Sequence, residues 1–290
     1  LIAREYPILT AKKRLDAIAA DAVWHFCNRG YKGKAMFIAL DKLTAVRMYD
    51  FIVHHWKLTI EALEKEIKNG KFGDQEQLEK SRELQWIKET EICVVVSGEQ
   101  NEIQKFKKWD LDIEPHREKM NSEDLETRFK DENDPFRFVI VCAMWITGFD
   151  VPTLSTLYID KPLKSHTLMQ AIARANRISS GKNNGLIVDY IETYTALLDA
   201  LAISGGGKDG GDKPTPPVKP KEELINELDE ALSAIEIFLQ DEVNFDLQTL
   251  IHAEGLHKLA AIDKAINAVY TNDETKRKFQ ILAREVFKKF

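Results

Sequence analysis

The chain has 290 residues, 44% of them hydrophobic and 30% charged, enough to bury a substantial core in one or two domains. Its formal net charge of −6 excludes a surface coated in basic residues, but leaves room for a local groove of phosphate donors. No apolar run is long enough to span a bilayer and no charged-then-apolar leader is present, so a cytoplasmic protein with no membrane association is expected.

Residues 8–30 carry Leu15, Ile18, Ala19, Ala22 and Val23 at helical spacing, with Gly30 as a stop. Lys34 leads into a first buried strand at 35–40, and Asp41 with Thr44 opens a helix running to about residue 54. The charged stretch 58–90 predicts an exposed helical connection, interrupted at 69–73 by two glycines. A second strand at 92–96 ends in Ser97 and Gly98, and residues 122–126 begin a helix with a capping-box-like start at Ser122. Further strands are expected at 137–142, 155–159 and 185–189, with a closing helix at 190–202. Strands that are hydrophobic throughout, alternating with helices, predict an α/β fold built on a parallel sheet sandwiched by helices over residues 1–203.

Residues 204–220 read SGGGKDGGDKPTPPVKP, a composition that cannot support a packed core and marks a flexible linker. Beyond it, 221–290 is helix-forming, with apolar stripes through Leu224, Leu228, Ala231, Leu232, Ile235 and Leu239, then Ile251, Leu256, Leu259, Ala260, Ile262 and Ile266, and last through 279–290. This all-α module carries more acid than base and is expected to pack against the preceding domain or a partner subunit. Cys27, Cys93 and Cys142 lie far apart in apolar segments, so buried reduced thiols are expected. Neither they nor His54, His55 and His116 show metal-ligand spacing, and no metal site is expected.

In a parallel sheet the strand ends at Asp41, Ser97–Gly98, Thr147–Gly148–Phe149–Asp150 and Asp160–Lys161 all meet along one edge, where ligands bind in open α/β sheets. A helix follows at Leu168–Met169–Gln170–Ala171–Ile172–Ala173–Arg174–Ala175–Asn176–Arg177. At 3.6 residues per turn, Arg174 and Arg177 fall within roughly 40° of Gln170, while Leu168, Ala171, Ile172 and Ala175 form an apolar back. Two guanidinium forks and an amide on one stripe suit a polyphosphate. No GxxxxGK[ST] phosphate loop and no DEAD-like acidic motif occurs, so any nucleotide site here is half a site.

The order strand, polar glycine loop, strand, acidic-basic pair and arginine helix resembles motifs V and VI of the second helicase superfamily. The last of these is written Q-x-x-G-R-x-x-R, and Ala173 stands at its glycine. TGFDVP, DKPL and LMQAIARANR together are similar to the motor (R) subunit of type I restriction–modification enzymes, over roughly residues 8–200. The resemblance implies the second RecA-like lobe of an ATP-dependent DNA translocase and endonuclease, followed by part of its helical domain. Because the chain opens on Leu1 rather than methionine, it is expected to be a fragment, inactive alone. The nuclease domain and first motor lobe would precede it, and specificity and methyltransferase subunits would complete the complex.

The same resemblance makes Arg174 and Arg177 arginine fingers to ATP, Gln170 a sensor of its γ-phosphate, and Gly148 with Asp150 a nucleotide-side coupling loop. It assigns Thr147, Ser97, Gly98, Lys34 and Thr44 to double-stranded DNA, puts Lys161 and His166 on the cleft rim, and brings in Mg2+ through the missing lobe. Two alternatives stand beside it: the C-terminal lobe of another helicase of that superfamily, and a non-catalytic assembly module.

Overall fold

Burial along the strands falls off from the centre of a sheet outward, as layering by helices on both faces requires. In a computed structural model describing residues 2–29, 33–70, 72–146, 148, 150–175, 185–192 and 221–289, β1 (Lys34–Ile38) and β4 (Leu154–Ile159) are buried throughout. β3 (Phe136–Val141) is buried at all positions but Arg137. β2 (Glu91–Val95) and β5 (Leu186–Asp189) are more open. These five form one sheet, parallel as the hydrophobic runs predict, in the order β2-β3-β1-β4-β5.

Before the sheet come α1 (Ile2–Leu9) and α2 (Lys12–Asn28); α3 (Lys42–Asn69) and α4 (Asp74–Glu89) join β1 to β2. Asp41 caps α3, its carboxylate accepting from the Thr44 amide at 2.7 Å. That helix runs well beyond residue 54, because no glycine or proline interrupts it before Gly70. Then come α5 (Glu102–Lys107), α6 (Glu114–Ser122) and α7 (Leu125–Lys130). Ser122 ends α6 rather than capping the next helix; Asp124 caps α7 by accepting from the Thr127 amide at 3.1 Å. Between β4 and β5 lies α8 (Ser165–Ala175). The core gathers rings from several elements, with Phe26 5.4 Å from Phe138 and Phe138 5.8 Å from Tyr158. Cys93 and Cys142 are buried and Cys27 half-buried, all as free thiols. Of the helix expected at 190–202, residues 190–192 are described and are not helical; its remainder and the linker 204–220 lie outside the described residues.

The chain divides into two compact units at Pro214–Thr215. The second contains α9 (Lys221–Asp241), α10 (Leu247–Ile251), α11 (Gly255–Val269) and α12 (Asp273–Lys289). Its small core joins Phe238, Leu239 and Val269, with Phe279 and Leu282 against them. The expected stripe through Ile251, Leu259, Ile262 and Ile266 is exposed instead. No helix among the described residues is long and apolar enough to cross a membrane.

Candidate functional site

Because every strand pair is parallel, the carboxyl ends of all five strands share one edge. Hydrogen bonds tie the segments leaving that edge: the Ala39 amide donates to the Val141 carbonyl at 2.7 Å, and the Asp160 amide to the Ile38 carbonyl at 3.0 Å. Lys161 closes the same rim by donating Nζ to the Cys142 carbonyl at 2.7 Å.

The helix α8 buries the face that its spacing assigns to a core: Leu168, Ala171, Ile172 and Ala175 are all buried. Gln170 and Arg174, one turn apart, are half-buried on the opposite face. Arg174 Nη1 donates to the Trp145 carbonyl at 3.0 Å, which ties the helix to the loop leaving β3. Gln170 meets the exposed His166 ring at 3.4 Å. Ala173 is exposed, so a Cβ is accommodated where the related motif has glycine.

In that loop Gly148 has φ +75°, a left-handed conformation that favours glycine. Trp145 adopts φ +66°, uncommon and strained for a bulky residue. Its ring lies 5.8 Å from Phe129 while its carbonyl faces Arg174. Asp150 is exposed just beyond. Thr147 and Arg177 fall outside the described residues. A second close approach fixes the far end of α8: a Cβ on Gly185 would stand 2.1 Å from the Ala175 carbonyl oxygen, so only glycine lets the chain re-enter the sheet there.

Ser97 and Gly98 are exposed at the end of β2, on the predicted edge. The neighbouring Glu99 accepts from Lys42 at 3.0 Å and Lys105 at 2.7 Å, and these bonds hold its carboxyl below the usual range. Two assignments need correction. Lys34 begins β1, so it sits on the opposite edge of the sheet. It is only 2% exposed, donating Nζ to the carbonyls of Phe136 at 3.0 Å and Arg128 at 3.1 Å, and burial lowers its pKa to about 8. Thr44 is 1% exposed, and its hydroxyl is buried without a hydrogen-bond partner. Both side chains are buried, which leaves neither polar group at the surface to meet a phosphate.

Sequence spacing missed Arg14 and Tyr6. Connections from β1 and β4 diverge, so the crevice between these neighbours is where an open α/β sheet ordinarily takes a ligand. Arg14 lies at its β4 side, reaching Asp160 at 2.6 and 3.2 Å and the carbonyls of Leu9 and Tyr190 at 3.0 and 3.2 Å. Tyr6 donates to Asp41 at 2.6 Å. Burial pushes the Asp160 carboxyl up, and Arg14 pulls it only part of the way back.

The family described as type I restriction enzyme subunit R domain 3 matches residues 32–192, a span holding the whole sheet. This chain belongs to the type I restriction enzyme R-subunit family. It is 34% identical to the type I restriction enzyme HindI endonuclease subunit of Haemophilus influenzae over 277 residues, covering 92% of this chain and 23% of the relative. A putative type I restriction enzyme endonuclease subunit, MjaIXP, of Methanocaldococcus jannaschii is 33% identical over 198 residues, covering 67% of this chain and 16% of that protein. The R-subunit chain thus spans less than a quarter of either relative's length. Among solved structures, the ATP-dependent type ISP restriction-modification enzyme LlaBIII bound to DNA aligns with a TM-score of 0.34 and 15% identity, over 95% of this chain and 22% of that one.

Proposed function

We propose that this chain is the second motor lobe of an R subunit that translocates and cleaves double-stranded DNA at the expense of ATP. Its part would be the arginine side of the nucleotide site. The observation that carries this reading is α8: its apolar back is buried, Arg174 reaches the loop at the carboxyl end of β3, and Gln170 lies one turn before it on the same half-buried face. In phosphoryl transfer, negative charge spreads over the equatorial oxygens, and a positioned guanidinium stabilises it. Arg174, with Arg177 three positions on in the sequence, would supply that charge, and Gln170 would orient against the same phosphate.

ATP and Mg2+ would be held mainly by the preceding lobe, where the metal neutralises charge on the β- and γ-phosphates. Gly148 and Asp150 would couple that site to the track, where Ser97, Gly98 and Thr147 meet DNA backbone. Exposed strand-end amides and hydroxyls grip phosphates without reading bases, which suits a translocating motor. On this reading the chain alone hydrolyses nothing. The nuclease domain, the specificity subunit and the methyltransferase subunit would complete the complex.

The test is charge reversal of both arginines, Arg174→Glu with Arg177→Glu, in the complete subunit, alongside Arg177→Ala alone. DNA-stimulated ATPase should fall by about 10³-fold or more, with near-UV circular dichroism unchanged for the single variant. Unchanged ATPase in both variants would leave the lobe a passive scaffold and overturn the proposal.

A further inference from the structure

β2 is the outermost strand on its side of the sheet among the described residues, and a pocket of about 410 Å³ opens along it. Tyr49 and Asp50 of α3, Asp110, Asp112 and His116 line it beside Ile92 and Val94. In a parallel ladder each residue sends its N–H and C=O to one side, and the side alternates along the strand. The Glu91 amide donates inward to the Pro135 carbonyl at 2.7 Å. Val96, of opposite parity, turns outward: its amide meets Met120 Sδ at 3.4 Å and its carbonyl accepts from Arg117 at 3.1 Å. The backbone groups of Ile92 and Val94 share that parity and face the pocket, which makes this stretch a template for an added strand.

The walls are acidic. Among the described residues, none of Asp50, Asp110 and Asp112 enters an ion pair. Burial raises the Asp50 carboxyl and the nearby Asp112 charge raises it further. His116 packs edge-on to Tyr49 at 4.5 Å, and burial lowers its pKa, so it adds no charge at neutral pH. Lys119 is the lining cation, and it is already held by Glu91 and Glu123. Among the described residues no group of three or more His, Cys, Asp or Glu is placed to hold a metal ion. A complementary occupant therefore brings its own cation on an organic frame, with amides to match an open strand edge.

We propose that this edge receives an extended basic segment of polypeptide, its backbone bonding to Ile92 and Val94 and an arginine or lysine settling between Asp50 and Asp112. The segment comes from elsewhere in the same subunit: the Haemophilus relative is more than four times the length this chain covers, and covalent linkage gives such a segment a high effective concentration. That source rests on the reading of the chain as part of a longer R subunit. The site itself does not, and the ATP-site proposal can fail without it.

The first experiment follows backbone amide resonances of the 290-residue chain while an end-blocked peptide of alternating valine and arginine is titrated in. A valine–glutamine peptide is the control. The arginine peptide should shift the Ile92 and Val94 amides, with the glutamine peptide at least tenfold weaker. Asp50→Asn with Asp112→Asn should weaken the arginine peptide at least tenfold while near-UV circular dichroism holds. No shift at Ile92 and Val94, equal response to both peptides, or indifference to the double substitution overturns the site. In the complete subunit, zero-length carbodiimide coupling should join Asp50 or Asp112 to a lysine of the same polypeptide. Coupling only to a different polypeptide overturns the intramolecular source.

Discussion

Replacing Arg14 by methionine tests whether the crevice between β1 and β4 is held by charge. The Asp160 side chain is 2% exposed and that of Arg14 23%. Losing the guanidinium strips Asp160 of two hydrogen bonds and leaves a buried carboxylate facing an apolar neighbour. Breaking a buried pair from one side costs about 3–5 kcal/mol. The Leu9 and Tyr190 carbonyls also lose a donor, but water reaches the arginine side of the pair, so they add little. A loss of about 4 kcal/mol at pH 7 is expected, against about 1–2 kcal/mol for Asp160→Asn, whose amide still accepts from Arg14. The pH dependence carries the sign. Without Arg14 the folded-state pKa of Asp160 rises further above its unfolded value. Its penalty is then fully present above the folded pKa, and disappears as pH falls toward the unfolded pKa, where both states are protonated. Urea unfolding of the chain at pH 7 and pH 5 should show the Arg14→Met deficit shrinking toward acid. A deficit under about 1 kcal/mol, an equal deficit at both pH values, or a larger cost for Asp160→Asn would refute the reasoning.

Three other outcomes follow from the geometry. Gly185→Ala puts a Cβ 2.1 Å from the Ala175 carbonyl oxygen, so backbone must move; we expect a loss of about 3 kcal/mol or more in urea unfolding and, in the complete subunit, reduced ATPase from the displaced end of α8. Lys34, with its pKa lowered to about 8 by burial, binds its proton more weakly folded than unfolded, so stability should rise between about pH 8 and the ordinary lysine pKa. The wild type should gain about 2 kcal/mol over Lys34→Met across that window, and parallel curves would contradict the assignment. Thr44→Val replaces a buried hydroxyl that has no partner with a methyl of the same shape. Stability should increase by about 1 kcal/mol with DNA-stimulated ATPase of the complete subunit unchanged, and a loss of ATPase would restore Thr44 to the track.

What the sequence disclosed was local or periodic. The apolar residues of α8 are buried at the predicted phase because a helix has one face per 3.6 residues, and Asp41 caps α3 because its carboxylate needs only an amide three residues away. Continuous hydrophobic runs located the strands, since a parallel sheet covered on both faces leaves little room for polar side chains. Contacts across long separations were not legible. Arg14 and Asp160 lie 146 positions apart, and nothing in helical spacing marks one surface arginine as the partner of a strand-end carboxylate. Lys34 is a different case: its place at the start of a strand already put it at the opposite edge from the loops. Within 221–290 three apolar stripes are read on a module expected to pack against its neighbours, and of these Leu259, Ile262 and Ile266 stay exposed while Leu239 is buried. Amphipathic spacing identifies a face without saying what covers it.

The filling of the crevice bears on why this lobe would complete a nucleotide site rather than cradle one. An open α/β sheet takes its ligand where connections diverge, and here that place is occupied by two contacts from the leading helices, Tyr6 to Asp41 and Arg14 to Asp160. The donors left on the carboxyl edge lie to the side, on α8 and on the loop after β3, where Arg174 is braced against the Trp145 carbonyl. A guanidinium held in that way carries its charge without gathering the rest of a phosphate cradle, and on the proposed reading it acts only when a neighbouring lobe brings the nucleotide to it. Hydrolysis would then be gated by closure of the two lobes. Loosening the brace should therefore lower the maximal ATPase rate of the complete subunit more than its ATP affinity. Trp145→Gly removes the ring that packs near Phe129 and relieves the strained φ, freeing the carbonyl from its aim at Arg174. A fall confined to ATP affinity, with the maximal rate intact, would place Arg174 in ground-state binding and remove closure from the mechanism.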